Sequence, residues 1–336
     1  MRFESVLVVL TGAKKCQSTH MPHRERILGL DVARSIAILS VIAAHTTGLR
    51  FGVFGVQLFF MVSGYLLAEY QLNFSSKNFL IHRYLRLAPL AILSTLVFSF
   101  RFSNTLEILL NFLLIHALFA GVNSFSGGWS ISFEWLFSII NILLVKLRIK
   151  FLVVFFTLIL ITQSIVYFIN SQDKNLSIDM PFISFVTNLG FFISGHLIKR
   201  LDFKLKNPAL YIPLIIVSPI LNSQPPFYLA IYNVSLICLF LLCLEIKVSQ
   251  SWIAVAIHFV GVRTYGIFVG HFIVMISLQN LMFFRNLHSN SGYLGQLVYF
   301  LIVACSATFI GFLTYRFIEK PLILFSTKRF SNKGIK

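Results

Sequence analysis

The chain has 336 residues, of which 57% are hydrophobic and only 12% are charged, and its formal net charge at pH 7 is +17. This composition excludes an ordinary soluble globular protein and indicates a polytopic membrane protein built of helices. A positive charge of this size also occurs in nucleic-acid-binding proteins. However, no basic run is interleaved with aromatic residues outside the apolar segments, so cytoplasmic loops facing anionic lipid explain the charge more simply.

The positions of the basic residues predict the topology. Apolar stretches run approximately over residues 30–48, 52–70, 88–103, 105–121, 129–146, 151–169, 181–198, 208–222, 226–246, 263–284 and 293–315. The basic loops between them agree with the positive-inside rule only if residues 88–121 cross the membrane once. We therefore predict an all-α membrane helix bundle with about ten transmembrane helices and both termini in the cytoplasm. The predicted domains are a cytoplasmic N-terminal segment (1–26), a membrane domain (27–325) and a basic cytoplasmic tail (326–336).

The first apolar stretch carries Asp31, Arg34 and His45. Such residues are costly in a bilayer unless they have a partner, a hydrated cavity or an interfacial position. At about 100° per residue, Arg34 and His45 share one helical face and are separated by about 16 Å along the axis. This spacing indicates a polar pocket that penetrates the membrane. The alternative is that the two side chains extend separately to opposite interfaces.

The next two stretches contain small residues and paired arginines. Ser63 lies in FGVFGVQLFFMVSGYL, where the glycines and the serine allow close helix packing or a break in the helix. Arg83 and Arg86 are three positions apart in NFLIHRYLRLAPL and therefore share a helical face. Paired guanidinium groups suit phosphates, and simple anchoring at the cytoplasmic interface is the alternative.

Further polar residues interrupt the later spans. Glu134 and Trp129 lie in GGWSISFEWLF, where the acid forms either an ion pair with an arginine or a contact that orients His45 or a substrate hydroxyl. Tyr265 and His271 occur in GVRTYGIFVGHFIV, around the start of another span. The final TYRFIEKPL is typical of an interfacial helix end that is stopped by proline. The cysteines and histidines show no metal-binding spacing, so no metal is expected.

In this order, LDVARSIAILSVIAAH, GVQLFFMVSGYL, FLIHRYLRLAPL, WSISFEW, TYGIFVGH and FIEKP resemble the acyltransferase family 3 membrane proteins. These are multi-pass enzymes that O-acylate, most often O-acetylate, extracytoplasmic carbohydrates and related cell-envelope acceptors. Arg34 and His45 match the family's Arg–x10–His pair, Arg83 and Arg86 match its Arg–x2–Arg pair, and Glu134 matches its conserved acid. His271 falls at the family's later histidine, although the residues before it depart from the pattern.

The resemblance implies acyl-CoA, by default acetyl-CoA, as a co-substrate without any tightly bound cofactor. It also implies a carbohydrate or glycolipid acceptor such as O-antigen, capsule or exopolysaccharide, and a location in the bacterial inner membrane, with polysaccharide-assembly proteins as further partners. Arg34, Arg83 and Arg86 would bind the donor, and His45 would act with Glu134 and Arg34 in catalysis. Ser63, Trp129, Tyr265 and His271 would line the substrate pocket. A transporter or flippase, or a structural partner of an envelope-synthesis complex, is the alternative.

Overall fold

The computed structural model describes residues 28–47, 52–70, 74–101, 104–119, 127–172, 180–204, 227–246, 252–281 and 292–330, with a few isolated positions between them. The predicted N-terminal segment at 1–26 lies outside this part of the chain. So does nearly all of the span predicted at 208–222. The described part contains helices and no strands, which confirms the all-α prediction.

Twelve α-helices are described. In chain order they are α1 (Leu28–Thr47), α2 (Gly52–Tyr70), α3 (Ser76–Val97), α4 (Thr105–Phe112), α5 (Gly128–Leu144), α6 (Ile149–Gln172), α7 (Met180–Leu201), α8 (Phe227–Glu245), α9 (Trp252–Gly261), α10 (Thr264–Gln279), α11 (Gly292–Thr314) and α12 (Lys320–Phe330). A π-helical segment, Tyr315–Glu319, joins α11 to α12, and short 3₁₀ turns lie at Ser99–Arg101 and His116–Leu118.

Among the residues that the structure describes, fewer helices are long and apolar enough to cross a membrane than the sequence predicts. In the described part of the chain, four helices can span a membrane: α1, α3, the first 18 residues of α6, and the continuous helix 292–330. Helices α9 and α10 form a fifth span if they are taken together, although they are bent by 71° at their junction. The prediction of about ten crossings is therefore not confirmed.

The stretch 88–121 does not form two long helices. Helix α3 begins at Ser76, capped by the Ser75 hydroxyl, and ends at Val97. After it come short turns and the eight-residue helix α4, whose first turn is capped by the side chain of Asn104. The paired arginines of FLIHRYLRLAPL consequently lie inside a long helix rather than at its end.

Close packing of α2 on α7 forms the centre of the bundle. A Cβ atom added to Gly64 would lie 1.8 Å from the carbonyl oxygen of Phe192, and one added to Gly195 would lie 2.0 Å from that of Met61. Only glycine permits this approach, as expected for the small-residue face of α2. Helix α1 packs against α2, α9 and α11, which brings its polar residues into the interior.

The C-terminal helix departs from the sequence interpretation. Pro321 was expected to stop the last span, but the backbone continues as α12 to Phe330. Proline is tolerated here because it falls in the first turn after the π-helical segment, where the register of backbone hydrogen bonds changes. The segment that precedes it turns Glu319 into the interior, where that side chain is 5% exposed.

Candidate functional site

Two cavities lie at the two ends of α1. The larger, which we call the cationic cavity, has a volume of about 520 Å³. Its ionisable lining residues are Asp31, Arg34, Tyr65, Glu69, His82, Arg83, Arg86, Glu134, Lys199, Tyr265, Tyr315 and Glu319. The second, which we call the His45 cavity, has a volume of about 300 Å³. It is lined by His45, Gly127, Trp129, Phe272, Met275, Ile276 and Gln279.

Arg34 is held in the cationic cavity by Asp31. The Arg34 guanidinium donates to Asp31 Oδ1 at 3.1 Å, and the second carboxylate oxygen lies 3.0 Å from Nδ1 of His258 on α9. Asp31 is only 1% exposed, and α9 comes so close that a Cβ on Gly261 would lie 2.6 Å from the Asp31 Cβ. A buried carboxylate that pairs with a guanidinium fixes the orientation of that guanidinium in a membrane protein.

The two arginines of α3 have different surroundings. Arg83 is 3% exposed, and it donates to Glu134 Oε1 at 2.8 Å and to the Ser138 hydroxyl at 3.1 Å. Ser63 donates to the same Glu134 oxygen at 3.1 Å. Arg86 lines the cavity, and in the described part of the chain its guanidinium makes no hydrogen bond. Of the pair, Arg86 is therefore the arginine whose guanidinium is available to an anion that enters the cavity.

Glu134 thus takes the first of the two roles considered from the sequence, an ion pair with an arginine. Its carboxylate lies in the cationic cavity with Arg83 and Ser63, whereas His45 lines the other cavity. The structure does not bring Glu134 and His45 together. A role for Glu134 in seating a substrate in the cationic cavity fits this geometry better than a role in orienting His45.

His45 lies at the far end of α1 beside His271. Their ring centroids are 5.6 Å apart, and the ring of Phe272 is 5.0 Å from that of His45. His45 is exposed, whereas His271 is completely buried. The imidazole of His45 can therefore meet a substrate at the cavity mouth, with a second imidazole behind it.

An aromatic partition separates the two cavities. Phe268 lines the cationic cavity and Phe272, one turn further along α10, lines the His45 cavity, with ring centroids 5.9 Å apart. Gly127, at φ 76°, completes the partition, because a Cβ there would lie 2.4 Å from the Phe272 ring. Arg34 and His45, which the sequence placed along one pocket, consequently lie on opposite sides of these rings.

The break between α9 and α10 directs a helix N-terminus at the cationic cavity. Residues Thr264 and Tyr265, in the first turn of α10, line it, and the Tyr265 hydroxyl donates to the carbonyl of Leu87. The partial positive charge of a helix N-terminus adds to the charge of the arginines. The broken helix therefore increases the preference of this cavity for an anion.

The other predicted residues divide between the two cavities. Ser63 and Tyr265 line the cationic cavity, and Trp129 lines the His45 cavity. Sequence reasoning gave no role to Asp31, although an acid three residues before Arg34 was a usable signal for an ion pair. It also treated Glu319 as part of a helix end, and no sequence signal indicated that the π-helical segment would turn this acid inward.

In its described part, the chain is a helical membrane protein with an arginine-containing cavity and a histidine-containing cavity on either side of an aromatic partition. A family model described as an acyltransferase domain matches residues 27–316, and the chain belongs to this acyltransferase family. Two similar proteins are each named "Putative O-acetyltransferase", from Staphylococcus aureus strains COL and MSSA476. Both are 27% identical to the chain, with 92% of the chain and 58% of the relative aligned. The chain thus spans little more than half the length of these relatives, and no solved structure matches it.

Proposed function

We propose that the protein is a membrane O-acyltransferase that moves an acyl group, by default acetyl, from acyl-CoA to a hydroxyl of a cell-envelope carbohydrate such as O-antigen, capsule or exopolysaccharide. The observation that carries the proposal is the pair of cavities at the two ends of α1, one that contains Arg34 and Arg86 among both basic and acidic side chains and the other lined by His45. Membership of the acyltransferase family and the names of the two staphylococcal relatives support the reaction type.

The donor would enter the cationic cavity from the cytoplasm. CoA carries several phosphate charges, and Arg86, Arg34 and the N-terminus of α10 face the same space. Bidentate hydrogen bonds from guanidinium groups to phosphates are among the stronger polar contacts in proteins. The pantetheine arm would then extend along α1, whose rise between Arg34 and His45 is about 16 Å.

Transfer would take place at His45. The acceptor hydroxyl gives its proton to the imidazole, and its oxygen attacks the thioester carbonyl carbon. The C–S bond then breaks, and the CoA sulfur takes the proton from the imidazolium. A transient acyl group on the His45 ring, followed by its transfer to the hydroxyl, is equally compatible with the exposed imidazole. In either route the arm must displace the rings of Phe268 and Phe272.

The experiment compares membranes that contain the wild type, His45→Ala or Ser40→Ala, incubated with radiolabelled acetyl-CoA and a crude envelope glycan fraction. Ser40 is the matched control, because it lies on α1 between the two cavities, lines neither, and donates to the carbonyl of Ile36 at 2.8 Å. We expect alkali-labile label in the glycan with the wild type and Ser40→Ala, and at least a hundredfold less with His45→Ala.

Two outcomes contradict the proposal. Equal labelling by the wild type and His45→Ala, at equal amounts of protein in the membrane, would remove His45 from the reaction. Absence of label with every variant would show that acetyl-CoA is not the donor or that the envelope glycans are not the acceptor. That result would favour the transporter alternative, for which the broken helix at the α9–α10 junction is a structural argument.

A further inference from the structure

Lys199 is a cation of the cationic cavity to which the proposed reaction has so far given no role. It lies two residues before the end of α7, and Glu69 lies one residue before the end of α2. Both side chains line the cavity, and they are 27% and 40% exposed, compared with 15% for Arg34 and 4% for Arg83. The two side chains therefore mark the open end of the cavity.

The ammonium group of Lys199 is held loosely. Its Nζ atom lies 3.5 Å from Oε2 of Glu69 and 5.4 Å from the centre of the Tyr65 ring. An ion pair between two partly exposed side chains contributes little to stability, typically about 0–1 kcal/mol. An ammonium group also has three N–H donors, so it can bind a further acceptor or exchange one acceptor for another. Lys199 can therefore turn to an anion that enters the cavity at little cost.

Two other basic residues at the end of α7 have different surroundings. Arg200, the next residue, donates to the carbonyl of Leu147 at 2.9 Å, which fixes its guanidinium against the loop after α5. Lys204 is 67% exposed and pairs with Asp202 at 3.3 Å. Neither Arg200 nor Lys204 is among the residues that line the cationic cavity. Of these three cations, Lys199 is the one that a ligand in the cavity can reach.

The distance of this open end from the aromatic partition suits the far end of a CoA molecule. Phe59 of α2 packs against Phe268 of the partition, with ring centroids 6.5 Å apart. Glu69 lies ten residues further along the same helix, which is a rise of about 15 Å. Arg34 and Arg86 line the same cavity. A ligand that extends from the partition to the open end can therefore meet the arginines and then Lys199.

CoA carries phosphate groups at two places. A diphosphate joins the pantetheine arm to the ribose, and a separate 3′-phosphate lies on the ribose at the end remote from the thioester. If the thioester points at the partition, the 3′-phosphate is the group at the open end. A phosphate monoester concentrates its charge on one group, and a lysine ammonium binds such a group as a point charge.

We propose that Lys199 is a donor-binding residue whose ammonium group binds the 3′-phosphate of acyl-CoA. This assignment rests on the proposed function, since it takes acyl-CoA as the donor. On binding, the ammonium group exchanges the Glu69 carboxylate for the phosphate. The contact makes the cavity select acyl-CoA over a thioester whose phosphopantetheine arm lacks the 3′-phosphate.

The test measures the dissociation constants of S-ethyl-CoA, an unreactive thioether, and of its 3′-dephospho analogue from the full chain in lipid nanodiscs. We expect the wild type to bind the analogue roughly five- to twentyfold more weakly than S-ethyl-CoA. Lys199→Met is expected to bind the two ligands equally, because it has lost the group that distinguishes them. Lys199→Arg, which keeps a cation, is expected to retain most of the difference.

Two further variants serve as controls. Lys204→Met removes a lysine that is also paired with an acid but lies outside the cavity lining, so it is expected to show the wild-type ratio of the two constants. Glu69→Gln breaks the same ion pair as Lys199→Met but keeps the ammonium group, so the ratio should not fall. A role of Lys199 in the ion pair alone would instead give the same loss in both variants.

The outcomes separate the two proposals. The assignment of Lys199 is wrong, while the proposed function stands, if the wild type binds both ligands equally or if Lys199→Met keeps the wild-type ratio. It is also wrong if Glu69→Gln loses the difference as Lys199→Met does. If the wild type does not bind S-ethyl-CoA, acyl-CoA is not the donor and both proposals fail.

Discussion

Arg83 and Arg86 differ sharply, because Arg83 is paired within the protein and Arg86 lines the cavity without a described hydrogen bond. Replacing Arg83 by methionine removes its hydrogen bonds to Glu134 and Ser138 on α5, and among the described residues it leaves Ser63 as the donor to the Glu134 carboxylate. Removing one partner of a buried ion pair typically costs about 3–5 kcal/mol. Because the Glu134 side chain is 24% exposed to the cavity, water recovers part of that cost, and we expect a loss near the lower end, about 3 kcal/mol.

Arg86→Met is expected to behave in the opposite way. No described hydrogen bond is lost, so the free energy of unfolding should change by no more than about 0.5 kcal/mol. The donor, however, would lose a charge-assisted hydrogen bond worth about 1.5–3 kcal/mol, which corresponds to an increase of about 10- to 150-fold in KM for acetyl-CoA.

The assay is unfolding by sodium dodecyl sulfate in mixed micelles, followed by the measurement of KM on the folded fraction. The double variant Arg83→Met/Glu134→Gln should recover at least half of the stability lost in Arg83→Met, because it no longer buries an unpaired charge. An unchanged free energy of unfolding in Arg83→Met would refute the reasoning. So would a double variant that is no more stable than the single one.

Two further predictions concern the supports of the site. Asp31→Asn removes the charge that orients Arg34, so we expect about tenfold weaker donor binding with little change in the amount of folded protein, measured as KM for acetyl-CoA. An unchanged KM would show that Arg34 is oriented by other contacts. Gly64→Ala would place a Cβ 1.8 Å from the Phe192 carbonyl oxygen, so α2 and α7 must separate and the melting temperature in detergent should fall by at least 5 °C or so. Gly190→Ala, whose Cβ would meet only a side chain of α6 at 3.2 Å, is the control and should change it much less.

The sequence predicted the helical class and most helices, because long apolar stretches are a strong local signal. It also predicted that Arg83 and Arg86 share a face, since that depends only on helical geometry. It did not predict which of the two would pair with Glu134. That choice depends on how α3 packs against α5, and the packing angle between two helices is not encoded in the period of either one.

The position of Glu319 was missed for a different reason. A proline two residues later is the ordinary mark of a helix end, and nothing in the local sequence distinguishes a stop from a π-helical segment followed by another helix. The interior position of the acid depends on space that Gly266, some fifty residues earlier in the chain, leaves on the facing helix. Such a long-range relation cannot be read from periodicity.

The aromatic partition explains why the two halves of the proposed site lie apart. If one continuous hydrated passage joined the cationic cavity to the His45 cavity, the arginines would attract small anions into it and the membrane would leak. The rings of Phe268 and Phe272, whose centroids are 5.9 Å apart, pack beside Gly127 and lie between the two cavities. Under the proposed function, the narrow acyl-bearing arm of the donor would displace the rings, whereas a hydrated ion would gain nothing by doing so. Under the proposed function, separate cavities would keep the donor and the acceptor apart, and the arm would join them only while transfer takes place.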